Sequence, residues 1–154
     1  MSRIDERLAA LGIILPTPAA PVANYLPYTI HQGLVTISGQ LPLQDGKIFA
    51  IGHLGAEVDV DTGRFAARLS FINLMAQLRV ACGGDLDRVT GVLRLAGFIA
   101  SAPDFTNQAA VMNGASDLAV EVFGDLGRHA RSTVGVAALP LGAAVEVEGL
   151  FSIA

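Results

Sequence analysis

Residues 129–154 read HARSTVGVAALPLGAAVEVEGLFSIA. Thr133-Val134-Gly135-Val136 is a run of β-formers, and Pro140-Leu141-Gly142 has turn chemistry. Val145-Glu146-Val147-Glu148 alternates with the period of a strand, which puts the two valines on one face and the two glutamates on the other. The pattern predicts a β-hairpin flanked by Arg131 and Glu146, fifteen positions apart. Such a hairpin can bring a cation and a carboxylate together. A guanidinium grips a carboxylate through two parallel hydrogen bonds, and a glutamate can handle a proton or a water, so the pair suits a small anionic substrate. On chemistry alone Glu148 is the equal of Glu146.

Upstream, the elements follow from periodicity. Leu34 to Ser38 reads as a strand running into Gly39-Gln40-Leu41-Pro42, and Asp45-Gly46 is a turn signal. Phe71, Met75, Leu78 and Cys82 fall at helical spacing in a helix from about Arg64 to Ala81, which Gly83-Gly84 stops. Asp85 to Arg88 open a connection to a buried strand over 89–100. Pro103-Asp104 then breaks the chain before a second helix carrying Val111, Ala115, Leu118 and Val122 on one stripe, and Gly124 to Gly127 end it. The order is β-β-α-β-α-β-β, an α+β arrangement with a mixed sheet and two helices on one face.

The N-terminal segment MSRIDERLAALGIILPTPAAPVANY contains a short apolar run, but Asp5 and Glu6 in its charged part are unlike a secretory signal. The run is too short to span a bilayer, and Pro16, Pro18 and Pro21 prevent a longer helix. A short helix and Pro-rich tether are expected over residues 1–20, and a single domain over 21–154 with its main body starting near Tyr25.

Composition narrows the function classes. The 154 residues suffice for one core, and 52% hydrophobic against 16% charged residues is apolar for a small monomer, which predicts a subunit interface. A net charge of −4 with one lysine, Lys47, leaves no basic stripe for a phosphate backbone, so nucleic acid is not an expected partner. Cys82 is the only cysteine, which excludes an intrachain disulfide and fits a cytoplasmic location.

From about Pro21 to Phe151 the chain resembles the RidA/YjgF family, also called endoribonuclease L-PSP-like. Ala130-Arg131-Ser132, Leu139-Pro140 and Val145-Glu146-Val147-Glu148 match, without a gap, the family's A-R-S signature, L-P turn and acidic final strand. Ser38-Gly39-Gln40 with Pro42 looks like its S-G-Q-x-P strand end. Counting back places Tyr25 on its active-site tyrosine, with Tyr28 three residues away, and Asn113 falls near its helix asparagine.

The resemblance implies a chorismate-mutase-like fold, a homotrimer, and a site in each cleft between subunits. It further implies hydrolysis of reactive enamines or imines, such as 2-aminoacrylate and 2-iminobutanoate, to 2-oxo acids and ammonia with no metal or organic cofactor. Arg131 would clamp the substrate carboxylate and Glu146 would orient or activate the water. Backbone groups at Gly39 and Thr133 would hold the imine nitrogen, with Tyr25, Ser38 and Asn113 completing the wall. The chain departs from the family at Thr133, where many deaminating members have Cys, in a longer segment over 52–60, and in its N-terminal helix.

The remaining polar residues carry less. His31, His53 and His129 show no metal-pair spacing; His129, two residues before Arg131, and His53 in its Gly-flanked loop are candidates to line the cleft, with surface or core roles the stronger reading for both. Cys82 reads as a buried small hydrophobe, and Ser38 has no readable His/Asp partner. The competing classes are a non-catalytic trimer that binds small carboxylates in a regulatory role, and a ribonuclease, which the single lysine disfavours.

Overall fold

The computed structural model of the protein describes residues 1–18 and 23–154. The expected boundary between residues 20 and 21 falls outside the described residues, as does part of the tether. The elements are α1 (Arg3–Ala10), β1 (Tyr28–His31), β2 (Leu34–Gln40), β3 (Leu43–Gln44), β4 (Lys47–Ile48), α2 (Val60–Ala81), β5 (Val89–Ala100), α3 (Gln108–Phe123), β6 (Ala130–Val136) and β7 (Val145–Ile153). The main sheet has the order β1-β2-β7-β5-β6, and β3 and β4 form a separate two-stranded ribbon.

The predicted hairpin between β6 and β7 does not form. β5 lies between the two, parallel to β6 and antiparallel to β7. The physical reason is the connection: residues 137–144 are longer than the two to five residues of a common hairpin loop, and they step over the end of β5 instead of folding back. There Ala100 N–H donates to Ala144 and Ser101 N–H to Val136. The parallel β5-α3-β6 unit obeys the rule that parallel neighbours need a long crossover.

Alternation along β7 works as the sequence predicts. Val145, Val147, Gly149 and Phe151 are buried under the helices, whereas Glu146, Glu148, Leu150 and Ser152 point to the other face. α2 and α3 both cover the first face with Phe71, Leu74, Met75, Leu78, Met112 and Leu118, all fully buried. Gly114 lets the two helices touch, because a Cβ there would overlap the backbone carbonyl of Arg64. α2 begins four residues earlier than the periodicity suggests, since the Asp59 carboxylate caps it by accepting Thr62 N–H at 2.7 Å. Cys82 closes it, buried, its thiol pKa pushed up by that burial.

The described residues hold three α-helices, the expected short N-terminal one and the two that cover the sheet. α1 packs against α3 and the turn before β5, burying Ile4 and Leu8 in the common core. The Asp87 carboxylate holds it by accepting the N–H groups of Arg3 and Ile4, each at 2.9 Å, and Asp5 pairs with Arg79. The long segment after β4 is also docked: Leu54 is fully buried and bonds the backbone of Ala100 and Ala102, and His53 Nε2 lies 2.6 Å from the Ala137 carbonyl. No helix among the described residues is long and apolar enough to cross a membrane.

Candidate functional site

Arg131 sits on β6, level with the buried Leu95 of β5, so its side chain lies on the helix-covered side of the sheet at the exposed edge strand. There α3 pins it. Nη1 donates to Asn113 Oδ1 at 2.9 Å and to Ser116 Oγ at 3.1 Å, and Nη2 reaches the Ala109 carbonyl at 3.4 Å. Asn113 and Ser116 are three apart on one helix, hence on one face. Of the five guanidinium N–H groups, both on Nη1 and one on Nη2 are engaged, which among the described residues leaves Nε–H and the other Nη2–H. Those two can form the side-on fork that binds a carboxylate with parallel hydrogen bonds.

The acidic half of the pattern builds a second patch. Glu146 is level with Phe98 on β7's open face, which no helix among the described residues covers. Its neighbour is Gly39, placed by a bulge in β2 between Ile37 and Gln40. A Cβ at residue 39 would overlap the Glu146 carboxylate and stand 2.9 Å from its Cδ, so only glycine leaves that oxygen room. Ser38 N–H donates to Pro27 O at 2.9 Å and Ser38 Oγ to Leu26 O at 2.7 Å, holding the half-exposed Tyr25 segment beside the bulge. Burial, and secondarily the negative charge of Glu148, raise the Glu146 pKa above the usual glutamate value of 4.5. This carboxyl therefore holds its proton more readily than an exposed one, which suits a group that must both take and return a proton.

The structure thus gathers the expected residues into two groups. Arg131 and Asn113 bond directly, with Thr133 two residues along the same face of β6. Tyr25, Ser38, Gly39 and Glu146 form the other group. Arg131 and Glu146 do not meet within one chain: two strand spacings and three rows put their Cα atoms about 14 Å apart, on opposite faces. The Thr133 hydroxyl is covered and has no hydrogen-bond partner among the described residues. Ser116 and His129 belong to the Arg131 group and were not among the expected site residues; Ser116 Oγ lies 2.9 Å from His129 Nε2, and Nδ1 lies 2.6 Å from the Gly127 carbonyl. The available signals were the i, i+3 spacing of Ser116 from Asn113 and the same-face spacing of His129 from Arg131. Among the described residues no three His, Cys, Asp or Glu side chains gather as a metal site would require.

Comparison with known proteins places this geometry. The family model "YjgF/chorismate mutase-like, putative endoribonuclease" matches residues 5–152. Protein TCP17 of Trypanosoma cruzi is 47% identical over 152 residues, covering 98% of this chain and 94% of that protein. The crystal structure of Atu1372 from Agrobacterium tumefaciens, of unknown function, superposes with a TM-score of 0.93 at 45% identity, covering 98% and 92% of the two chains. Escherichia coli TdcF, solved with bound serine, superposes with a TM-score of 0.63 at 25% identity, covering 90% and 94%. The long matches reach back through α1, so this helix is shared with those relatives over nearly full length. With a model match over most of its length and near-full-length relatives well above 30% identity, the chain belongs to the YjgF/chorismate mutase-like family.

Proposed function

We propose that this protein hydrolyses small enamines and imines of the 2-aminoacrylate or 2-iminobutanoate type to 2-oxo acids and ammonia, without a cofactor, in clefts between the subunits of a homotrimer. The observation that carries the reading is the Arg131 guanidinium, held by Asn113 and Ser116 with its Nε/Nη2 edge left for a carboxylate. The separation of Arg131 from Glu146 supports a cleft shared by two copies. Arg131 lies on an edge strand and Glu146 on a sheet face with no helical cover, so one copy's edge can approach another copy's open face. In that cleft Arg131 fixes the substrate carboxylate, and Glu146 takes a proton from water as its oxygen adds to the imine carbon. The same carboxyl delivers that proton to the nitrogen to give a carbinolamine. It then takes the carbinolamine hydroxyl proton and delivers it to the nitrogen as the C–N bond breaks, so that ammonia leaves and the 2-oxo acid remains. An enamine enters after a proton has moved from its nitrogen to its β-carbon to make the imine. Orientation by the clamp and a site with little water supply the acceleration for a bond that is already labile.

The test is ammonia and 2-oxo acid release from freshly generated 2-iminobutanoate by wild type, Arg131→Ala and Glu146→Ala at matched oligomer content. Acceleration by wild type that disappears in both variants supports the reading. No acceleration by wild type overturns it. A second reading, a trimer that binds small carboxylates without turnover, has one observation behind it: E. coli TdcF was solved with an intact amino acid, serine, bound. Saturable binding of serine or a 2-oxo acid with no imine turnover would favour it.

A further inference from the structure

We infer that His129 is a positioning residue for the anion clamp, acting on Arg131 through Ser116. The inference rests on the functional reading above for what the clamp holds, though not for the geometry that sets it.

The chain of contacts starts at Gly127. A Cβ there would overlap the Ala119 carbonyl, so the short 3-10 turn before β6 lies hard against α3 and its backbone has little freedom. The Gly127 carbonyl can only accept a hydrogen bond, so the His129 nitrogen 2.6 Å away, Nδ1, carries the ring proton. In the neutral ring Nε2 is then a bare acceptor. Ser116 Oγ, 2.9 Å from Nε2, must donate its single hydrogen to it. That leaves the serine lone pairs as its contribution to the other side, where Arg131 Nη1 donates at 3.1 Å. Each bond fixes the sense of the next, from a rigid turn to the guanidinium. With Asn113 taking the second Nη1 hydrogen, the plane of the guanidinium is set, and so is the edge it offers.

A serine with no acceptor behind it would turn to donate to a carbonyl one turn back on its own helix, in a rotamer that draws its lone pairs away from Arg131. His129 removes that alternative. Its ring touches no substrate group in this scheme and does no proton transfer.

Three variants separate the roles. Ser116→Ala removes the middle of the chain, His129→Phe keeps the ring shape without either nitrogen, and His129→Gln restores an amide oxygen near the Nε2 position. The structural readout is 15N NMR of the Arg131 guanidinium in the intact protein, where restrained Nη groups give resolved signals and freely rotating ones average. Resolved signals are expected in wild type and His129→Gln, and averaged signals in Ser116→Ala and His129→Phe. The functional readout is a KM for 2-iminobutanoate raised about fivefold in the same two variants, as loss of one hydrogen bond implies, with kcat little changed. The double variant should be no worse than either single one, because both cut the same chain. Arg131 signals that stay resolved in His129→Phe would overturn the inference, as would singles whose effects multiply. If wild type neither turns over imines nor binds a 2-oxo acid, the functional reading falls, and the NMR comparison still decides the role of His129.

Discussion

Gly39 and Glu146 occupy the same space: the bulge in β2 brings the glycine so close to the strand opposite that the glutamate carboxylate fills the volume a Cβ would need. The overlapping atoms are the far end of a flexible side chain, so Gly39→Ala can be accommodated by turning that carboxylate away. The expected outcome is a folded protein destabilised by at most about 1 kcal/mol, with imine turnover reduced at least tenfold. Denaturant melts beside kcat/KM measurements check it. Turnover at wild-type level would mean that the carboxylate position does not matter to the reaction.

The pH dependence follows from the raised Glu146 pKa, caused first by burial and then by Glu148. A carboxyl whose folded pKa exceeds its unfolded one binds more protons when folded, so stability falls as pH rises from the ordinary glutamate range through the folded pKa. Glu146→Gln should therefore be more stable than wild type at neutral pH, with the difference shrinking toward about pH 4. In the proposed reaction the water-activating form is the carboxylate, so turnover should rise through the folded pKa on the acid side. Glu148→Gln should move that limb to lower pH. A limb that stays in place in Glu148→Gln would show that Glu148 does not act on Glu146.

How far the sequence could be read differs between faces and neighbours. The alternation in β7 told correctly which side chains lie under the helices and which point away, because a strand's period of two is local. It could not tell that β5 would lie between β6 and β7, because pairing partners depend on where an eight-residue connection and a whole crossover place the strands. The same limit applied to the site. Arg131 stood out by its spacing from Glu146, and Asn113 only through the family resemblance; their contact is direct. Ser116 was not legible, since a serine in mid-helix looks like any exposed position until the edge strand is known to run beside it. α1 looked like an appendage because its two buried residues, Ile4 and Leu8, make too short a stripe to show what they pack on.

Arg131→Lys tests the fork itself. Lysine keeps the charge, but its ammonium is a point donor that cannot satisfy Asn113 and Ser116 while offering two parallel N–H groups to a carboxylate. We expect a fold unchanged by circular dichroism and a kcat/KM lower by about a hundredfold, most of it in KM, from loss of a bidentate charged hydrogen-bond pair. A change below threefold would show that charge alone suffices.

Thr133 carries a hydroxyl that is covered and without a partner among the described residues, at a position on the Arg131 face of β6. Replacing it with the isosteric valine removes the cost of burying that group. Thr133→Val should gain about 1 kcal/mol in stability, and Thr133→Cys should also be tolerated, with kcat/KM of both within about threefold of wild type. If valine instead abolishes turnover, the hydroxyl meets a partner in the assembled cleft.

Gly114 makes the opposite case to Gly39. A Cβ there meets the backbone carbonyl of Arg64 on α2, with the Arg64 carbonyl carbon at 2.8 Å, and the backbone of a packed helix cannot turn aside as a side chain can. Gly114→Ala must push α2 and α3 apart, even though alanine is the better helix former by about 1 kcal/mol. Overpacking of this kind costs about 1–3 kcal/mol, so a net loss of stability that lowers Tm by several degrees is expected. Because α3 carries Asn113 on one side of Gly114 and Ser116 just beyond it, the shift also moves the two groups that hold Nη1 of Arg131. Gly114→Ala should therefore raise KM while Gly39→Ala lowers kcat, and the two together separate the proposed clamp from the proposed water-activating carboxyl. A Gly114→Ala protein as stable as wild type would mean that the helices have slack at their closest approach, contrary to the contact seen here.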